Sequence, residues 1–148
     1  MLRNVAAVIA GLVVGMIVTL ALIQLNTVFF PLPAGVDLTD TAQMKNVIQG
    51  MPAAAWILVV AALLGQAFVG GCVAARLSAP RPMMLAMIVG VLSLAGGSAN
   101  AQMLSAPVCT WIEMPFYPVV AWLAGRTELA GRARVRRTEI SSDIRQYV

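Results

Sequence analysis

The sequence predicts an all-α membrane protein, a bundle of four transmembrane helices with both termini cytoplasmic. Three observations predict it. Of the 148 residues, 60% are hydrophobic and only 11% are charged, where a soluble domain carries about 25% charged residues. A fold of this size cannot hide that much apolar surface from water, so lipid must solvate it. The apolar residues fall into four stretches, at about 5–30, 52–75, 83–99 and 107–125. Finally, nine of the ten basic residues (Arg3, Arg76, Arg81, Arg126, Arg132, Arg134, Arg136, Arg137 and Arg145) fall on one side of the implied membrane, and Lys45 alone on the other. Basic residues flanking membrane helices stay on the cytoplasmic side, which fixes the orientation. The aromatic residues agree: Phe29, Phe30, Trp56 and Trp111 fall at the outer interface and Trp122 near the inner one, where amphipathic rings settle. The transmembrane domain is therefore expected to occupy residues 1–126 and a basic cytoplasmic tail residues 127–148.

The first stretch follows Arg3 and could be mistaken for a signal peptide. From Val5 to Ile23 it is longer than an ordinary signal core, and no Ala-x-Ala-like cleavage site follows, so it reads as a retained helix. To Phe30 it is roughly 39 Å long, more than the ~30 Å hydrocarbon core, and should tilt or protrude. Pro31 and Pro33 end it, because proline cannot continue the hydrogen-bond ladder. The loop to Gly50 carries Asp40 and, three residues on, Gln43, a variant of the capping box. Met44, Val47, Ile48 and Met51 follow at helical spacing. This fits a short amphipathic helix on the membrane surface, and equally an ordinary structured loop. Prolines 52, 82 and 107 stand where the later helices would begin, a position whose N–H has no helical partner anyway. The link from Arg76 to Arg81 is so short that the second and third helices should form a tight antiparallel hairpin.

Small residues recur at packing spacing. Ala7, Gly11 and Gly15 share one face of the first helix, Ala67, Gly71 and Ala75 one face of the second, and Ala86 and Gly90 one face of the third. Such faces let helix backbones approach closely in lipid. Gln66, near the middle of the second helix, is expected to hydrogen-bond to a neighbouring helix.

The one chemically expensive residue is Glu113. It lies about 9 Å below the outer end of the fourth helix. Ionisable groups at such depth are costly and face a bundle interior or a water-filled cavity. Tyr117 is one turn on and can donate to it. Pro115 and Pro118 each remove a backbone donor, so the carbonyls of Trp111 and Met114 need other partners. Gln24, Asn26, Ser98 and Asn100 lie at comparable depth and, with Glu113, could form a polar cluster that holds a proton or cation. The opposite reading is a near-interface glutamate hydrated from outside.

Other classes of chemistry lack their residues. There is no histidine, which removes the commonest metal ligand and the best proton-transfer group near neutral pH. No nucleophile–base pair suits an enzyme, and no metal or cofactor is expected. Cys72 and Cys109 fall near opposite faces and should not pair; no Cys-x-x-Cys motif is present. Arg132, Arg134, Arg136 and Arg137 in the tail are expected to touch anionic lipid heads at the cytoplasmic face. Nucleic-acid binding is not expected, because aromatic interleaving and a recognisable module are missing. A homo-oligomer or a membrane-protein partner is open.

The stretch Gly65-Gln66-Ala67-Phe68-Val69-Gly70-Gly71, then Ala74-Ala75-Arg76-Leu77 and Met87-Ile88-Val89-Gly90, resembles a group of small, uncharacterised bacterial four-helix membrane proteins. The resemblance covers most of the membrane part and not the tail. It implies a bacterial inner-membrane setting and brings no activity with it. Small multidrug transporters also have four helices and one membrane glutamate, but theirs is in the first helix and Glu113 is in the fourth. The sequence thus reads as a non-enzymatic accessory or assembly subunit, with a small transporter or ion-conducting oligomer built on Glu113 as the alternative.

Overall fold

The computed structural model describes residues 2–31, 35, 39–78, 81–103 and 111–146. Five helices account for nearly all of them, and no strand occurs among the described residues: α1 (Leu2–Phe29), α2 (Thr41–Gly50), α3 (Ala53–Leu77), α4 (Pro82–Met103) and α5 (Phe116–Gln146). Of these, α1, α3 and α4 are long and apolar enough to cross a membrane, so the chain is a multi-pass membrane protein. The expected fourth crossing differs. Trp111 and Ile112 are helical, residues 113–115 form a turn, and α5 starts only at Phe116. Its apolar part, Phe116 to Gly125, is about 15 Å long, half of a ~30 Å hydrocarbon core. Residues 107–110, where the fourth stretch was expected to begin, lie outside the described residues. Beyond Gly125 the same helix continues through the arginine-rich segment to Gln146, so the boundary expected at 126 falls inside a helix. Once nucleated, a helix extends at little cost, and Glu128–Arg132 supplies an i,i+4 ion pair at 3.4 Å.

The prolines act as punctuation. Pro31 follows the end of α1, Pro52 caps α3 in an extended conformation, and Pro82 is the first residue of α4. Pro118 is the third residue of α5, still within the first turn where no donor is needed; only Pro115 sits in the break. Pro33, Pro107 and Cys109 are outside the described residues. Asp40 caps α2: its Oδ1 accepts from the Ala42 N–H at 2.9 Å and its Oδ2 from Gln43 Nε2 at 3.0 Å. The Ala42 N–H holds the Asp40 carboxyl below the usual carboxylate range. Here the Gln43 side chain returns to the capping carboxylate. Between the end of α1 and α2 lies a cleft of about 390 Å³ lined by Phe30, Pro31, Asn46, Val47, Gly50, Met51 and Pro52.

α1 packs along α3, α3 along α4 and α5, and α4 along α5. The seams are built from small residues. A Cβ added to Gly11 would meet the Gly70 carbonyl at 2.5 Å, and one added to Gly70 would meet the Gly11 carbonyl at 2.7 Å. At Gly15 the obstacle is Gln66, whose carbonyl would be 2.9 Å away. On the other side of α3, Gly71 abuts Ala124 of α5, and Gly90 of α4 abuts Ala121. The backbones therefore approach as closely as glycine allows. One polar bond reinforces α1 on α3: Thr19 Oγ1 donates to Gln66 Oε1 at 2.7 Å, with the Ala62 carbonyl at 3.4 Å. Ala55, Ala62, Ala67, Ala74, Ala75, Ala86, Ala121 and Ala124 are fully buried, while large residues of α1 such as Val5, Ile9, Met16 and Leu20 face outward.

At the basic end, Arg132 of α5 lies against the last turn of α3. Its Nη2 donates to the carbonyls of Ser78 at 2.6 Å and Ala75 at 2.8 Å, with Arg76 O at 3.3 Å. The last carbonyls of a helix lack intrahelical donors and carry its negative dipole end, so one guanidinium satisfies both needs. Glu128 holds Arg132 from below and lies 3.8 Å from Arg76 Nε.

Replacing Gly11 by valine should lower stability by about 1–3 kcal/mol, the cost of overpacking a filled contact. Thermal unfolding in detergent followed by circular dichroism measures this; an unchanged midpoint would mean that α1 and α3 do not touch at Gly11.

Candidate functional site

The break before α5 places Glu113 in the interior. Its side chain belongs to a residue only 2% exposed, and Oε2 has no hydrogen-bond partner among the described residues. The turn arises because Pro115 cannot donate to the Trp111 carbonyl. The Met114 N–H reaches that carbonyl instead at 3.4 Å, Phe116 N donates to Glu113 O at 2.9 Å, and Tyr117 N to Met114 O at 3.3 Å. The carbonyls of Trp111 and Met114, expected to need partners, thus find them in i→i+3 turns. A proton or cation at Glu113 would not meet bare carbonyls at those two positions.

Tyr117 is also 2% exposed, the largest fully buried side chain described. Its hydroxyl rests on α4 at Gly97, where an added Cβ would lie 2.9 Å from the phenolic oxygen. No described group bonds the hydroxyl. Ser98 donates back to the Leu94 carbonyl at 2.7 Å and has Met114 Sδ at 3.5 Å. Tyr117 against Gly97 and Met114 against Ser98 therefore mark the contact of α5 and the break with α4.

The other expected members are placed differently. Asn26 is buried (3% exposed), with Oδ1 unpartnered among the described residues, on α1. Gln24 and Asn100 are exposed, and Gln24 meets Thr27, whose Oγ1 donates to its carbonyl at 2.7 Å. No described hydrogen bond joins Asn26, Gln24 or Asn100 to Glu113. Among the tail arginines, Arg132 is engaged with the end of α3, whereas Arg134, Arg136 and Arg137 are exposed. Cys72 is half-buried beside Thr127, 3.7 Å away.

Chemically, one carboxyl and one phenol offer too few oxygens for a hard divalent cation, which takes six or more. No group of three or more metal-ligating side chains occurs among the described residues. A buried carboxyl with a free oxygen suits a proton or a single hydrogen-bond donor better.

Sequence reasoning missed two groups. Thr19 is the partner of Gln66, signalled only by its place four residues after Gly15. Arg132 is the lock on α3, with no local signal, since its partners are more than fifty residues away. Comparison with protein-family models, curated proteins and solved structures gives no match.

Because the Tyr117 hydroxyl is buried with no partner among the described residues, Tyr117→Phe should keep or raise stability, by up to about 1 kcal/mol. A drop of that size in thermal unfolding would show instead that the hydroxyl is bonded.

Proposed function

We propose that this chain is a small bacterial inner-membrane protein with four crossing segments and both termini cytoplasmic, acting as a non-enzymatic assembly subunit. The observation that carries the reading is what fills the interior. Between Glu113 and the basic end, the contacts of α3, α4 and α5 are occupied by buried Ala67, Ala74, Ala86, Ala121, Ala124 and Tyr117. Alanine at close approach builds a packed seam rather than a polar conduit. α1 touches the rest mainly through the Ala7–Gly11–Gly15–Thr19 stripe and leaves most of its apolar surface to lipid or to another helix. The fourth crossing takes in the turn at residues 113–115 and the apolar start of α5, irregular backbone of the kind tolerated where it is buried in protein.

One observation favours a second reading. Glu113 is a buried carboxyl at a helix break with one oxygen unpartnered among the described residues, and ionisable groups inside membrane helices mark ion pathways and proton relays. In that reading the chain is a small transporter or ion-conducting oligomer, with Glu113 as its protonatable group and the pathway between copies.

Native mass spectrometry after mild extraction separates the two. The assembly reading expects a stoichiometric second protein and no proton flux in liposomes. A homo-oligomer whose proton flux is abolished by Glu113→Gln would replace it with the transport reading.

Orientation has its own test. Lys45 is the sole lysine, and a membrane-impermeant amine reagent should label it on intact spheroplasts. Labelling that requires permeabilisation would invert the topology.

A further inference from the structure

At the basic end, α1 and α3 leave a groove of about 370 Å³ lined by Arg3, Ala6, Ala7, Ala10, Arg76 and Leu77. Residues 3, 6, 7 and 10 are spaced i, i+3, i+4 and i+7, one stripe of a helix. The stripe carries a guanidinium at its end and three methyl groups below. Arg76 comes from the last turn of α3 and stands across from it. Both arginines are exposed, whereas Ala7 at the floor is buried.

Three features give the groove a charge preference. The first-turn N–H groups of α1 are the positive end of its dipole, and no acidic residue stands in that turn. The negative end of α3 is covered by Arg132, which bonds Ala75 and Ser78. Glu128 is shared between Arg132 at 3.4 Å and Arg76 at 3.8 Å, so positive charge remains in excess. Basic pockets between helices at a membrane surface take phospholipid head groups.

We infer that this groove is a specific site for one anionic phospholipid, its phosphate between Arg3 and Arg76 and an acyl chain along Ala6, Ala7 and Ala10. The apolar trough distinguishes a lipid from a free phosphate, and the exposed apolar side chains Ile9 and Val13 stand three residues on from Ala6 and Ala10 along α1. A second copy of the chain would bring like charges together at this point. Of the tail arginines, Arg132 reaches the end of α3 beside the groove, and Arg134, Arg136 and Arg137 do not line it. The site rests on the reading that this end of α1 and α3 meets a membrane surface.

Native mass spectrometry of the full-length chain, titrated with phosphatidylglycerol or with phosphatidylcholine of matched acyl chains, tests it. One phosphatidylglycerol should bind about thirtyfold more tightly, as expected for two arginines at a membrane surface. Arg3→Gln with Arg76→Gln should make the two lipids equal. Ala10→Leu, which fills the trough and keeps both charges, should weaken both lipids, and Arg134→Gln with Arg136→Gln should leave the preference intact. Equal binding by the unaltered chain overturns the site, as does a preference lost only in the tail variant. Displacement of the lipid by glycerol phosphate at matched concentration overturns the lipid assignment. If the chain resists alkaline carbonate extraction while showing no preference, the groove fails and the membrane reading stands; if carbonate releases the chain, both fail.

Discussion

The approach of α1 to α3 at Gly11 and Gly70 is the contact on which the rest of the arrangement depends. In lipid, no hydrophobic force draws one apolar helix to another, so association rests on dispersion and on the few hydrogen bonds within reach. Dispersion fades steeply with separation. Two glycines facing each other bring backbone against backbone, and only at that distance does Thr19 reach Gln66. The same approach sets the edge of the alanine groove at one end.

A second fastening acts across a longer span of sequence. α3 meets α5 through Gly71 against Ala124, and Arg132 then closes over the carbonyls that end α3. The two contacts differ in kind. The first is apolar and shape-determined; the second is charged and faces the polar end, where a guanidinium keeps part of its hydration. Together they hold the charged half of α5 against α3 beyond the point where apolar packing stops.

The sequence announces what is local or periodic. Runs of apolar residues, with Pro31 after the end of α1 and Pro52 and Pro82 at the starts of α3 and α4, mark these three helices to within a few residues, because lipid solvation and the missing proline donor act on the chain itself. Asp40 and Gln43 announce α2 in the same way. The fourth segment was less legible. Hydropathy separates residues 107–125 from the arginines that follow, whereas hydrogen-bond cooperativity joins Phe116 to Gln146 in one helix and Pro115 breaks the chain earlier. Glu113 stood out by its cost alone, and the structure buries it. Its supposed companions Gln24 and Asn100 turn outward, since equal depth in a membrane says nothing about which face of a helix a residue occupies. Arg132 looked like its neighbours Arg134 and Arg136; only the path of α5 past the end of α3 distinguishes it.

An interior built of alanine and glycine inverts the usual map of mutational sensitivity. In most soluble domains the core is found by truncation, because removing a large side chain leaves a cavity. Among the described residues, Tyr117, Leu85 and Val89 are the largest apolar side chains that are fully enclosed. An alanine scan would pass over most of the residues that hold this protein together, since they are alanine already. A scan that adds bulk would trace the seams one by one, and the outward faces, rich in leucine, valine and isoleucine, would be left free to drift among apolar types. Selection on such a chain acts as an upper limit on side-chain size along narrow stripes, a signature that records helix contacts even where no two sequences share a recognisable motif.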